Sequence, residues 1–174
     1  MPLKCRSSLL ALAAFAAIVL PAAGSAAPVS TSFAIVGYEY AFTSTVGSFA
    51  GRGAGNAGDT AAWNATVAHD PLGSSPTYVN GGRFQMATVS PTGHVDSVAG
   101  TFAYHGGMIT TLDRGDDCTN QIFMVTGTLQ DVSTSTSASG SGQFDATLTH
   151  YRTRLFGHCV IYKARVAGSV DFTY

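Results

Sequence analysis

Charge is scarce in this chain. Only 11% of its 174 residues are Asp, Glu, Lys or Arg, and nine basic residues against ten acidic ones leave a net charge of −1 with histidine neutral. That balance supplies no global pull toward nucleic acid or an anionic membrane, so no nucleic-acid partner is expected. Long apolar runs are scarce too. Apart from the first 26 residues no stretch is uniformly apolar, and none anywhere is long enough for a membrane-spanning helix. Helical spacing is missing after the same segment. The five histidines form no H-x-H or H-E-x-x-H pattern, so no metal site is expected, no G-x-S-x-G elbow offers a serine nucleophile, and no cofactor is expected.

Residues 1–26 read as a secretory signal peptide. Lys4 and Arg6 make a charged start, Leu9 to Leu20 an apolar run, and Pro21 breaks it before the small residues Gly24-Ser25-Ala26-Ala27. Cleavage is expected after Ala26, leaving residues 27–174 as one domain, large enough for a core. The predicted location is secreted or periplasmic, without membrane association after cleavage. Without Lys4 and Arg6, seven basic residues face ten acidic ones, a net charge of about −3. Two cysteines remain, Cys118 and Cys159, and an even pair in an exported chain predicts a disulfide. Closing a loop of about forty residues would stabilise the fold by roughly 4 kcal/mol in the chain-entropy account.

Gly, Thr, Ser and Ala abound, and the apolar residues alternate, which predicts strands. Ser32 to Thr45 alternates with Ala34, Val36, Tyr38, Tyr40 and Phe42 on one face. Gly47 to Asp59 reads as a glycine-rich loop. Its Gly53-x-Gly55-x-x-Gly58 spacing matches a dinucleotide fingerprint, but no strand-to-helix context surrounds it. Further strands are predicted around Trp63 to His69, Tyr78 to Val89, Val95 to His105, Met108 to Leu112 and Gln121 to Leu129. Asp113 to Thr119 reads as a solvated polar loop carrying an acidic cluster, and Ser133 to Gly142 as an exposed Ser/Thr/Gly loop.

Two long strands close the chain, Gln143 to Arg154 and Cys159 to Phe172, joined at Leu155-Phe156-Gly157-His158. A straight register places Arg154 opposite Cys159, Tyr151 opposite Tyr162 and His150 opposite Lys163. One face then carries Thr147, Thr149, Tyr151, Val160, Tyr162, Ala164 and Val166. The other carries His150, Arg152, Arg154, Lys163 and Arg165. The first is expected inside; the second is a solvated outer face or an anion site.

These strands predict an all-β fold, an antiparallel barrel of seven or eight strands with a two-sheet sandwich as the alternative. A barrel is favoured because closure removes sheet edges that so few charges would protect. The plan is similar, at the level of fold, to the lipocalin-like and allene-oxide-cyclase-like barrels. Three function classes stay open. A binding domain would offer Tyr38, Tyr40, Thr147, Thr149, Tyr151 and Tyr162 to a small apolar molecule inside the barrel. A cyclase or isomerase would need a titratable group inside, with His105 and His150 as candidates. An eight-stranded outer-membrane barrel would explain the period-two ending Val166, Gly168, Val170, Phe172, Tyr174. No pattern specifies an oligomeric state.

Overall fold

The computed structural model describes residues 28–74, 76–136 and 139–174. The expected signal peptide, residues 1–26, and its cleavage point lie outside them. No helix among the described residues is long and apolar enough to cross a membrane. Among the described residues nine strands form one antiparallel sheet: β1 Ser30–Phe42, β2 Val46–Gly55, β3 Thr60–His69, β4 Thr77–Val89, β5 Val95–Phe102, β6 Met108–Asp113, β7 Gln121–Thr134, β8 Ser139–Leu155 and β9 His158–Thr173. Each hairpin neighbour pairs with the next, and β9 returns to pair with β1 from Ser30↔Thr173 to Tyr38↔Arg165, closing a barrel.

Eight positions around that barrel hold nine strands. β5 pairs with the second half of β4 and the end of β7, while β6 pairs with the start of each. The two therefore occupy one slot, interrupted at Ala103 to Gly107. Val79 N–H donates to the Gly107 carbonyl and His105 N–H to Val79, so backbone groups stay paired across the break. Val95 to His105 thus ends as a strand at Phe102, three residues early.

Aromatic side chains fill the inside. Trp63 stacks on Phe84 with ring centroids 6.0 Å apart, Phe84 meets Phe144 and Phe172, and Phe102 meets Phe144 edge-on at 5.7 Å. Leu129, Val79, Val166, Val170 and Ile35 complete a dry core. Trp63, Ala65, Val67 and His69 alternate along β3 and face inward.

The glycine-rich stretch Gly47 to Asp59 is a strand over Val46–Gly55 rather than a loop, and only Asn56 to Asp59 turn. Its glycines meet a crowded neighbour. Gly51 pairs with Gly37, and a Cβ on Gly51 would come within 2.0 Å of the Val36 carbonyl oxygen. Absent side chains here let β1 and β2 approach closely over Trp63. Ser133 to Gly142 is likewise shorter as a loop than predicted, since Ser133 and Thr134 end β7 and Ser139 to Gly142 begin β8.

The last hairpin keeps Arg154 opposite Cys159, but its turn is the two residues Phe156 and Gly157, with Leu155 opposite His158. Both turn residues have positive φ, 48° and 83°, which matches the twist of a two-residue hairpin. The straight register then fails one turn further in. Arg152 pairs with Ile161 and Tyr151 with Lys163, leaving Tyr162 as a bulge. From there His150 opposes Ala164 and Leu148 opposes Val166, so Phe144, Ala146, Leu148 and His150 face inward. A one-residue slip exchanges the two faces of β8.

The expected interior lining is corrected accordingly. Thr147 and Thr149 lie on the outer face of β8, with Tyr151 half-buried beside them, and Tyr162 is 64% exposed. On β1 the inward set is Phe33, Ile35 and Gly37, so Ala34, Val36, Tyr38 and Tyr40 look outward. Both parities of β1 carry apolar residues, and the amphipathic tyrosines take the wet side while Gly37 yields space to Trp63. His150 is corrected in the opposite direction: it is 4% exposed and inside.

Candidate functional site

Polar chemistry concentrates at one end of the barrel. That end gathers the β1–β2, β3–β4, β6–β7 and β8–β9 connections. The disulfide Cys118–Cys159 ties the β6–β7 loop to the start of β9, with Cα atoms 5.5 Å apart. A single 3-10 turn, Asp116–Cys118, shapes that loop. Arg152 adds a second tie, its guanidinium donating to the Gly115 carbonyl at 2.8 Å and more weakly to Arg114 at 3.4 Å. Thus Arg152 braces a loop instead of forming a row with its neighbours. Arg154 stands exposed by the hairpin tip, and Lys163 and Arg165 lie on the barrel's outer face. The predicted five-residue cationic face is therefore divided among the interior, a rim and the outside.

Beneath the loop lies a buried acid–imidazole pair. Glu39, the chain's only glutamate, turns inward from β1, and its Oε2 sits 2.7 Å from His150 Nε2 on β8. Each side chain is 5% exposed. A carboxylate only accepts, so Nε2–H donates. Phe42 stacks on the imidazole at 5.8 Å and Phe123 meets it edge-on at 5.4 Å, which fixes its plane. His69, 8% exposed at the end of β3, directs Nδ1 to the Asp70 carbonyl at 2.6 Å. Glu39, His69, His150 and Thr43 share the wall of a void of about 30 Å³. That size suits a water molecule, not an organic ligand.

Outside the void an open groove of about 620 Å³ runs between the β3–β4 loop, β6 and the start of β7. Leu72, Ile109 and Phe123 belong to both walls and separate groove from pair. Met108 extends the apolar side. Thr77, Thr110, Thr111 and Gln121 supply hydrogen-bonding groups, and among the described residues Arg114 is the one charged side chain along it.

Asp70 holds the β3–β4 loop in place. Its carboxylate accepts from Asn80 Nδ2 at 2.7 Å and from Tyr78 N–H at 3.0 Å, and these bonds lower its pKa below the usual 3.8. The Asp113, Asp116, Asp117 and Asn120 stretch is an exposed turn, with Asp113 accepting from Gly115 N–H. Among the described residues no group of three His, Cys, Asp or Glu side chains could hold a metal ion. His105 is exposed, stacked between Tyr104 and Tyr78 at 4.0 and 4.6 Å.

Glu39 belongs to no recognisable motif in the sequence. Its signal was a lone carboxylate within an otherwise apolar alternating strand, a position that demands a partner. Comparison of the chain with family models, curated proteins and solved structures finds no match.

Proposed function

We propose that this barrel is an exported binding protein whose ligand is a small amphiphilic molecule held in the groove at the disulfide end. The observation that carries this reading is the groove itself. Its volume of about 620 Å³ falls in the range of small-molecule sites, and its lining combines Leu72, Met108, Ile109 and Phe123 with a few hydroxyls. Arg114 at its edge favours an occupant with a carboxylate or similar anion beside an apolar body. The filled barrel core supports a site at the end rather than in the middle. A disulfide is compatible with an extracytoplasmic location.

The outward side chains weigh against lipid contact. Asp145, Arg165, Asp171, Arg83 and Gln143 face outward while phenylalanines fill the inside, the reverse of an outer-membrane barrel. An outward Arg at mid-bilayer would cost about 2–4 kcal/mol. A second reading, a barrel isomerase or cyclase, is favoured by one feature, the Glu39–His150 pair behind the groove wall. It requires Leu72, Ile109 or Phe123 to move before a substrate reaches the imidazole.

Mass spectrometry of small molecules co-purifying with the protein tests the binding reading. The expected result is an amphiphilic anion retained by the wild type, lost from Thr111→Trp and reduced in Arg114→Ala. Retention by Thr111→Trp at the wild-type level would overturn the assignment to the groove.

A further inference from the structure

The bulge at Tyr162 has a second effect, on the outside of the barrel. It places tyrosines and cations, separate in a straight register, on one surface. Tyr38 pairs across strands with Arg165, Arg165 with Thr149, Lys163 with Tyr151, and Val36 with Arg52. The Lys163 ammonium lies 5.8 Å from the Tyr38 ring centroid and 5.5 Å from that of Tyr151. Tyr162 stands 6.4 Å from Tyr151, ring to ring. Tyr38 and Tyr162 are 56% and 64% exposed. Beside them Tyr38, Arg52, Lys163 and Arg165 border a depression of about 510 Å³, with Gly37 and Gly51 leaving room at its wall.

No carboxylate occupies these cross-strand rows among the described residues. The next outward acids on β8 and β9 are Asp145 and Asp171, beyond Thr147 and Ala167. Three cations thus gather on one face of a chain whose net charge is −1. Exposed tyrosine rings with ammonium and guanidinium groups between them suit one kind of occupant particularly well. A pyranose ring lays its C–H face against an aromatic ring, and a carboxylate or sulfate on that sugar takes the charged hydrogen bonds. A neutral glycan would leave the cations unused, and a free inorganic anion would leave the tyrosines unused.

The geometry points to an acidic polysaccharide bound across β2, β1, β9 and β8, its sugar rings on the exposed Tyr38 and Tyr162 and its anionic groups on Arg52, Lys163 and Arg165. This rests on the exported location proposed above and is independent of the groove. Holding the barrel on an extracellular matrix or envelope polymer would leave the disulfide end free for its ligand.

Calorimetric titration of the purified protein with hexagalacturonate, and with a heparin-derived hexasaccharide, tests the proposal. Saturable binding of at least one is expected, weakening with salt, with none for neutral maltohexaose. Arg165→Gln and Tyr38→Ala should each weaken it by about tenfold, the effect of losing one charged or stacking contact. Tyr38→Phe and Arg165→Lys should retain most of the affinity. Arg83→Gln, outward on β4, should change it less than about twofold. Each variant's thermal melt controls for folding, and all these positions are on the wet side. Failure of both acidic probes to bind would overturn the proposal. So would equal binding of maltohexaose, of a single-stranded oligonucleotide of matched charge or of anionic vesicles, or affinity unchanged in Arg165→Gln and Tyr38→Ala. Loss of groove binding alone would leave these results untouched.

Discussion

The two ends of this barrel are built from the same hairpins and differ in almost everything else. At one end the β2–β3, β4–β5 and β7–β8 connections span four or five residues each, and Val29, just before β1, exchanges backbone hydrogen bonds with Tyr174, just after β9. Asp96 stitches that rim by accepting from Ser97 N–H and from both the amide and hydroxyl of Ser135. At the other end two connections run to seven residues, a disulfide and Arg152 hold one of them, and a carboxylate and two imidazoles are buried beneath. Short turns close that rim with backbone groups and a surface side-chain stitch at Asp96. Long loops need ties, and buried polar side chains at their base need partners, so those features mark where the chain departs from the minimum required for folding.

That contrast can be broken from the disulfide end first. Glu39→Ala strands a buried imidazole and is expected to destabilise the protein by about 3–5 kcal/mol, whereas Glu39→Leu with His150→Leu should come close to neutral. Urea denaturation of the single and double variants reads this directly. If the single replacement costs less than about 1 kcal/mol, the pair is not held as described. Removing the disulfide by Cys118→Ser with Cys159→Ser should lower stability by up to about 4 kcal/mol for a loop of 41 residues. Hydrogen exchange should show the loss first at 114–120, with the opposite rim unchanged until global unfolding. Arg152→Ala comes next, at about 1.5–3 kcal/mol, since it deletes a charged donor to Gly115.

The smallest effect compares the ends through pH. Asp70 and Asp96, one near each rim, both have lowered pKa values. Asn80 and then Tyr78 lower the first, and Ser135 above all lowers the second. A carboxylate whose folded pKa is depressed contributes stability that is complete above the ordinary value of 3.8 and is lost as pH falls through the lower folded value. Both contributions should therefore disappear on acidification below pH 3.8. Asp70→Asn should flatten that acid limb with early exchange at Tyr78, and Asp96→Asn should do so with early exchange at Ser135. Identical exchange maps for the two variants would mean that the rims are not independent.

Much of the fold was legible in the residues. The alternation of Trp63, Ala65, Val67 and His69 gave a strand, and the two cysteines gave their own pairing. The inward Ala164 and Val166 were legible from the alternation of the last strand. The candidate site was not. A single bulge at Tyr162 reverses the faces of β8, and nothing in the local composition distinguishes a bulged strand from a straight one. It moved Tyr151, Thr147 and Thr149 outside and His150 inside. On β1 both parities were apolar enough to be core, so the choice fell to packing against Trp63, a long-range contact. The glycines of β2 looked like a loop because their reason, the close approach of β1, lies on a different strand.

In the proposed function one end of the barrel holds a ligand and the other serves only closure. Backbone amide chemical-shift mapping during titration with octanoate, a small apolar carboxylate, tests it most directly. Saturable shifts clustered at Thr77, Ile109, Thr110, Thr111, Arg114, Gln121 and Phe123 are predicted. Shifts centred on the Asn56–Asp59 or Ser90–His94 turns, or along the core strands, would contradict it.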